Sequence, residues 1–227
     1  MGTTIIFDRD GTLVDFTEMF HQFVVDLYDQ QNVSAPPRSS ILTIEFWERI
    51  ASRELHVGDV RVQDRIDDVI RKYMHHGILY SGVREVLISL RESGMRMAIV
   101  SGWVGTEETT AFFEENGLTG VFETILTLDD IGEQAAGKVH SEHYLADKLR
   151  LMEIAVERLD CHRDRLLLVG DSPEDIIAGK KFSAETVAVK TGNGSRLMSK
   201  IVELEPDWIL DSAADLHSVL AGLRAVP

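Results

Sequence analysis

The stretch that decides the fold is DRDGTLVD, residues 8–15. It follows an apolar run at residues 5–7, whose members are consecutive rather than alternating with polar residues, as is typical of a strand buried on both faces. Gly11 then breaks the strand, so Asp8 and Asp10 stand where the strand ends. In open α/β sheets, ligands bind at the carboxyl ends of the strands. The alternative is an ordinary polar turn, since Asp and Gly are common turn residues.

Composition limits the kind of protein that this chain can be. Its 227 residues have room for one domain with an insert, and 44% hydrophobic residues is the content of an ordinary globular protein. The net charge of −15 argues against a nucleic acid or an anionic membrane as partner. No basic and apolar leader opens the chain, and no apolar run approaches the roughly 20 residues of a membrane span. The single cysteine, Cys161, excludes an internal disulfide. We therefore expect a soluble, cytoplasmic protein without nucleic-acid or membrane partners.

Residues 16–80 carry a helical pattern without a strand signal. Apolar residues recur at spacings of three and four along residues 16–28, again along 44–51, and a third time after Gly58. The pair Pro36-Pro37 separates the first two units, because proline removes a backbone donor and restricts its neighbour. We predict that this segment is a small all-helical cap domain, inserted directly after DRDGTLVD.

From Gly82 onward, predicted helices alternate with predicted strands. Apolar faces predict helices over residues 83–92, 106–116 and 148–159. Apolar, β-branched runs predict strands over residues 95–100, 122–126, 165–169, 186–189 and 208–210. Strands that are repeatedly separated by helices imply a parallel sheet covered on both faces, so the predicted fold class is α/β. The core domain then consists of residues 1–15 and 81–227.

Polar side chains follow three of the predicted strands. Asp8 follows the first strand, Ser101 the second and Asp171 the fourth, while Lys148 is predicted to open the helix before the fourth strand. The carboxyl ends of parallel strands meet at one edge of a sheet, so these side chains are expected in one site. Their joint placement, rather than any one residue, carries the prediction.

Four motifs in this order resemble those of the haloacid dehalogenase (HAD) superfamily. They are DRDGTLVD, the Ser-Gly pair at 101–102, a lysine, and GDSPED at 170–175. The helical insert after the first motif is similar to the cap of the phosphoglycolate-phosphatase-like branch. The resemblance covers nearly all of the chain outside the insert. It implies a Rossmann-like parallel-sheet core and Mg²⁺-dependent hydrolysis of a small phosphate monoester.

The resemblance also implies a role for each motif residue. Asp8 would attack phosphorus and form an aspartyl-phosphate, and Asp10 would protonate the leaving oxygen and then deprotonate the attacking water. Ser101, Gly102 and Lys148 would bind the phosphoryl oxygens. Magnesium would be held by Asp8, the Asp10 carbonyl and Asp171, with Asp175 and Thr12 in supporting roles. A cation is needed because each like-charge pair at about 4 Å costs about 4 kcal/mol at an effective dielectric near 20.

Several alternatives stay open at this point. Lys138, in Ala136-Gly137-Lys138, competes with Lys148 for the lysine role, although Lys148 has the more typical spacing from Asp171. Residues 132–139 nearly match a P-loop, but Val139 replaces the Ser or Thr that such a loop requires. The chemistry also fits a phosphomutase of the β-phosphoglucomutase type, and the fold fits a non-enzymatic regulatory protein.

Some properties are not determined by the sequence. It does not identify the substrate, the cap residues that set specificity, or whether the protein is a monomer or a homodimer. Arg9 departs from the aliphatic or aromatic residue that is often found at this position in similar sequences.

Overall fold

The computed structural model describes residues 3–134, 142–161 and 165–223. The strands of this part of the chain are β1 (Thr4–Phe7), β2 (Val14–Asp15), β3 (His56–Val57), β4 (Val60–Arg61), β5 (Ile78–Leu79), β6 (Arg96–Val100), β7 (Thr124–Leu126), β8 (Leu166–Gly170), β9 (Glu185–Val189) and β10 (Trp208–Leu210). The α-helices are α1 (Thr17–Gln30), α2 (Arg38–Ile41), α3 (Ile44–Ala51), α4 (Asp68–Tyr73), α5 (Val83–Glu92), α6 (Thr106–Glu115), α7 (Glu142–Leu159), α8 (Pro173–Lys181), α9 (Gly194–Glu203) and α10 (Leu216–Leu223).

The main sheet confirms the predicted α/β fold class. Its six strands run in the order β10-β9-β8-β1-β6-β7, and every neighbouring pair is parallel. Ile5, Ile6 and Phe7 of β1 are fully buried, because β1 lies between β6 and β8 and is covered on both faces. The chain adds strands first on one side of β1 and then on the other, so the ends of β1, β6 and β8 form a topological switch point.

Two predicted elements begin two or more residues from where the sequence pattern placed them. The strand predicted from 122 begins at Thr124, because Phe122 packs its ring against Phe7 and Phe113 before the strand starts. The helix α7 begins at Glu142, so the prediction that Lys148 opens this helix was wrong. The residues from 142 onward include good helix formers, and a search for an apolar face alone overlooked them.

The insert after the first motif is mostly helical, and it also contains a short hairpin. Strands β3 and β4 pair antiparallel around Gly58-Asp59, where Gly58 has a φ of +56°. The prediction of an all-helical insert was therefore wrong in this detail. Strands of two residues are too short to show an alternating pattern, and Gly58-Asp59 is a hairpin turn rather than a helix start.

A second ribbon forms the stem between the insert and the sheet. Strand β2 pairs antiparallel with β5, so that Val14 lies opposite Leu79 and Asp15 opposite Ile78. The chain thus leaves and re-enters the core at one point, directly after the DRDGTLVD loop. The division into a cap at residues 16–80 and a core at residues 1–15 and 81–227 stays our prediction. In the part of the chain that is described, no helix is both long and apolar enough to cross a bilayer.

The central strand provides a test of the fold. We expect Ile6→Ala to lower the free energy of unfolding by about 2–5 kcal/mol, because a buried side chain is replaced by a cavity. Urea unfolding followed by circular dichroism measures the change. The matched control is Ile78→Ala in β5, where the side chain is 63% exposed, and it should cost less than about 0.5 kcal/mol. Equal losses in both variants would contradict the assignment of β1 to the centre of the sheet.

Candidate active site

The ends of three adjacent strands bring Asp8, Ser101 and Asp171 together. Asp8 follows β1, Ser101 follows β6 and Asp171 follows β8, and all three residues are buried. Sheet hydrogen bonding continues into these positions. The Asp8 amide donates to the Val169 carbonyl at 2.9 Å, and the Ser101 amide donates to the Leu126 carbonyl at 2.9 Å. The backbone of the site is therefore fixed by the sheet itself.

The first loop turns back at Gly11 and contacts Asp171. Gly11 has a φ of +86°, and a Cβ at this position would lie 2.2 Å from Oδ2 of Asp171. Glycine is required here for both reasons. Thr12, which is fully buried, donates its hydroxyl to Oδ1 of Asp171 at 3.4 Å. Thr12 is therefore placed to orient the Asp171 carboxylate, and its supporting role stays a prediction.

Lys148 contacts the predicted nucleophile directly. Its Nζ lies 2.8 Å from Oδ1 of Asp8, and it also forms an ion pair with Oδ1 of Asp175. The lysine side chain is fully buried on the second turn of α7. Burial alone would lower its pKa, but the charges of Asp175 and Asp8 outweigh burial and raise the pKa of Lys148 well above its usual value. The alternative, Lys138, lies outside the described residues.

Asp175 holds the lysine from the start of α8. Its Oδ2 accepts hydrogen bonds from the Ser172 amide at 3.0 Å and from the Ser172 hydroxyl at 2.6 Å. The Asp175 amide donates in return to the Ser172 hydroxyl at 3.3 Å, which completes a capping box. Its Oδ1 faces Lys148. Both carboxylate oxygens are thus engaged by the protein, an arrangement that suits a residue which orients Lys148.

Ser101 and Gly102 form the loop beside the first motif. The Ser101 hydroxyl accepts the Trp103 amide at 3.2 Å and lies 3.4 Å from Oδ2 of Asp10, to which it donates. A Cβ at Gly102 would come within 2.4 Å of the Tyr144 ring, so the backbone at Gly102 lies flat against this ring. Tyr144 belongs to α7, one turn before Lys148, and burial raises its pKa.

The loop after β9 completes the site and was missed by sequence reasoning. The Asn193 amide donates to Oδ2 of Asp171 at 2.7 Å, and the Gly192 amide donates to the Tyr80 hydroxyl at 3.2 Å. A Cβ at Gly192 would lie 2.3 Å from the Cα of Gly11, so the two loops meet through glycines. The available signal is the triplet Gly192-Asn193-Gly194, which begins three residues after the end of strand β9.

Burial and like charge raise the pKa of two carboxyl groups in this site. Desolvation by burial, opposed by Lys148 and assisted by Asp175, raises the pKa of Asp8 to about 7. Burial, together with the charge of Asp8, raises the pKa of Asp171 well above its usual value. Burial is the largest cause of each shift, and the charges of neighbouring carboxylates add to it.

The donor set fits a divalent cation that prefers oxygen ligands. One carboxylate oxygen each from Asp8, Asp171 and Asp175 lies within 4.8 Å of the others. When all groups are ionised, the described residues of the site carry four carboxylates and two cations, on Asp8, Asp10, Asp171, Asp175, Lys148 and Arg9. The excess of negative charge suits Mg²⁺, which is held by carboxylates and water. Asp175 combines its ion pair with Lys148 with the capping hydrogen bonds of α8, so we take Asp8 and Asp171, which follow strands β1 and β8, as the residues that would hold the ion.

The chain is similar to known proteins over almost its full length. Pyrophosphatase PpaX of Anoxybacillus flavithermus is 26% identical over 225 residues, which cover 96% of each chain. A predicted phosphatase from Clostridium acetobutylicum has a TM-score of 0.72 at 21% identity, with 98% of this chain and 100% of that chain covered. A predicted phosphoglycolate phosphatase from Haemophilus somnus has a TM-score of 0.69 at 20% identity, with 96% and 98% covered. The likeness to these two structures shows the fold.

The family itself is shown by a match of sequence. Residues 5–189 match the sequence pattern of haloacid dehalogenase-like hydrolases. The match begins within β1 and ends with β9, so it includes both halves of the core and the insert between them. The resemblance inferred from the four motifs is thereby confirmed, and the chain belongs to the haloacid dehalogenase-like hydrolase family.

Proposed function

We propose that this protein is a Mg²⁺-dependent phosphatase that hydrolyses a small phosphate monoester through an aspartyl-phosphate on Asp8. The observation that carries the proposal is the contact of 2.8 Å between Nζ of Lys148 and Oδ1 of Asp8, at the end of the central strand. An ammonium in this position holds the carboxylate in one orientation, and it offsets the repulsion that a phosphate dianion meets as it approaches. Membership of the hydrolase family supports the same reaction class.

Other residues of the site divide the remaining tasks. The Ser101 hydroxyl and the Gly102 amide would donate to phosphoryl oxygens as charge develops on them. Asp10 would give a proton to the leaving oxygen and later take one from the water that hydrolyses the aspartyl-phosphate. Mg²⁺, when bound by Asp8 and Asp171, supplies positive charge against the transferred phosphoryl group.

The insert at residues 16–80 is proposed as a cap over this site. Trp103, two residues after Ser101, makes edge-to-face contacts with Phe16 and with Trp47 of α3. Arg71 of α4 forms two hydrogen bonds to Asp129 in the core, with Nη1 at 2.9 Å and Nη2 at 2.5 Å. The insert thus contacts the core close to the loop at Ser101 and Gly102, where it can exclude water from the site.

The names of similar proteins suggest which substrates to test. PpaX is described as a pyrophosphatase, and the Haemophilus somnus protein as a phosphoglycolate phosphatase. The experiment measures phosphate release from phosphoglycolate, inorganic pyrophosphate, several sugar phosphates and an aryl phosphate. We expect turnover of at least one small monoester. Hydrolysis of pyrophosphate alone would contradict the monoester assignment, and release of no phosphate in any assay would contradict the phosphatase itself.

The nucleophile is tested by Asp8→Asn. This substitution keeps the size of the side chain and removes the attacking carboxylate, so kcat should fall by at least about a thousandfold. The control is Asp211→Asn, at an 81% exposed side chain that pairs with Lys190 at the surface, and it should keep full activity. Turnover by Asp8→Asn within tenfold of the wild type would exclude Asp8 as nucleophile.

Magnesium should be required for activity, and its effect on stability should depend on pH. In the metal-free protein the pKa of Asp8 is raised to about 7 from an ordinary 3.8. Between these values the folded state binds a proton that the unfolded state does not, so metal-free stability falls as pH rises through this window. Mg²⁺ competes with that proton and should raise Tm more at pH 8 than at pH 6.

Thermal unfolding in EDTA and in a fixed concentration of Mg²⁺ measures this effect. Asp171→Asn should lose most of the Mg²⁺-induced shift at both pH values, because it removes a proposed ligand. Ca²⁺ should not restore activity, since its looser coordination does not hold the in-line geometry. Full activity in excess chelator would rule out the metal-dependent mechanism.

The cap is tested by replacing residues 17–76 with a short Gly-Ser linker, which keeps the β2–β5 stem. We expect the shortened protein to lose most activity toward its small substrate and to keep relatively more toward an aryl phosphate, because Asp8, Asp10 and Lys148 remain. Circular dichroism checks that the core is folded. A folded protein that hydrolyses both substrates as well as the wild type would show that the insert is no lid.

A further inference from the structure

We propose that Arg9 is a positioning residue for the Asp10 carboxylate. It donates two hydrogen bonds to one oxygen of this carboxylate, and the other oxygen is thereby left to transfer protons. The inference rests on the proposed function, in which Asp10 exchanges protons with the leaving group and with water. Nothing in the sequence pattern assigned a role to Arg9.

The side chain of Arg9 is fully buried, and each of its nitrogens has a partner. Nε and Nη2 donate to Oδ2 of Asp10 at 2.9 Å and 2.6 Å. Nη1 donates to the Val104 carbonyl at 3.1 Å and to the Thr109 hydroxyl. A buried guanidinium requires such complete pairing, because an unpaired charge in the interior is strongly unfavourable. The group is therefore fixed on both sides, by the carboxylate in front and by the start of α6 behind.

The two oxygens of Asp10 consequently differ in the hydrogen bonds that they accept. Oδ2 accepts both hydrogen bonds from Arg9 and lies 3.4 Å from the Ser101 hydroxyl, which also donates to it. Oδ1 is buried and accepts no hydrogen bond from any residue that the structure describes. A buried acceptor without a partner retains its full capacity to bind a donor. Oδ1 is thus the atom that can exchange a proton with a leaving-group oxygen or a water.

The position of Arg9 separates it from the substrate. The guanidinium of Arg9 lies between the Asp10 carboxylate and the start of α6, where it contacts Val104 and Thr109. Each nitrogen of Arg9 already donates to a protein acceptor, so the guanidinium is held by Asp10, Val104 and Thr109 rather than left to bind a phosphate ester. Two donors of the guanidinium converge on Oδ2 of Asp10 and hold this oxygen in place. Arg9 therefore acts through Asp10 and is not itself a catalytic residue.

The experiment uses leaving groups that differ in their need for a proton. A nitrophenolate leaves without protonation, whereas an alkoxide does not, so a series of aryl and alkyl phosphates reports proton transfer through kcat/KM. This ratio covers only the steps up to loss of the leaving group. For Arg9→Met we expect kcat/KM to fall about a hundredfold for an alkyl phosphate and less than about fivefold for nitrophenyl phosphate. KM should stay within about threefold of the wild type, because Arg9 does not bind substrate.

Two milder variants keep the test valid if Arg9→Met does not fold. Arg9→Lys keeps the charge and loses the two-nitrogen contact. Its kcat/KM should therefore depend on the leaving group more strongly than that of the wild type, but less strongly than that of Arg9→Met. Thr109→Val keeps Arg9 and removes one of its anchors at nearly constant volume. In Thr109→Val, kcat/KM should also depend more strongly on the leaving group than in the wild type, by less than in Arg9→Met.

The matched control is Arg65→Met in the insert. Arg65 also donates through Nε and Nη2 to a single oxygen, Oδ2 of Asp68, at 2.8 Å and 2.5 Å, but outside the site. Removing this ion pair should leave the dependence of kcat/KM on the leaving group as it is in the wild type. Tm values of all variants show how much of any loss is due to stability.

Asp10→Asn separates failure of the inference from failure of the proposed function. If Asp10→Asn does not steepen the dependence on the leaving group, Asp10 is not the acid and both proposals are overturned. If Asp10→Asn steepens it while the Arg9 variants and Thr109→Val lower kcat/KM equally for all substrates, only the role of Arg9 is overturned. Steepening in Asp10→Asn and Arg9→Met alike supports the inference.

Discussion

The contact of the buried Lys148 ammonium with Asp8 and Asp175 is the interaction on which the site depends. The ends of β1 and β8 and the start of α8 bring the carboxylates of Asp8, Asp171 and Asp175 together where water is largely excluded, and unpaired charges in such a place are strongly unfavourable. Lys148 connects two of them, and α7 and α8 bring the lysine and its second carboxylate to the edge of the sheet. Removing one partner of a buried pair leaves the other uncompensated, so the pair is much more sensitive to substitution than a surface ion pair.

Much of the core could be predicted because its signals are local. Three consecutive apolar residues before Asp8 identify a strand buried on both faces, and repeated alternation of strands with helices identifies a parallel sheet. The placement of Asp8, Ser101 and Asp171 at strand ends followed from these two patterns. The β3–β4 hairpin was missed because two residues are too few to show a period. The start of α7 was placed six residues too late, at Lys148 rather than Glu142, because the apolar face was followed back only to Leu149.

The remaining parts of the site depend on contacts between residues far apart in the sequence. Nothing local to Asn193 indicates that its amide donates to Asp171, and nothing local to Thr109 indicates that its hydroxyl binds Arg9. Arg9 was visible only as an unusual residue between two aspartates. Its role required knowledge of which groups lie behind the first loop. Long-range pairing of this kind is specified by the complete fold rather than by any window of sequence.

The contact between the loops at Gly11 and Gly192 has a consequence for synthesis on the ribosome. The groups that form the site come from almost the whole length of the chain, from Asp8 to Asn193. A chain that emerges with its amino terminus first exposes the first-motif acids long before α7, β8 and the loop after β9 exist. The nascent protein therefore does not have all groups of the proposed site until nearly all of it has been translated. Any product that ends before residue 193 leaves Asp171 without the backbone donor that the complete chain provides.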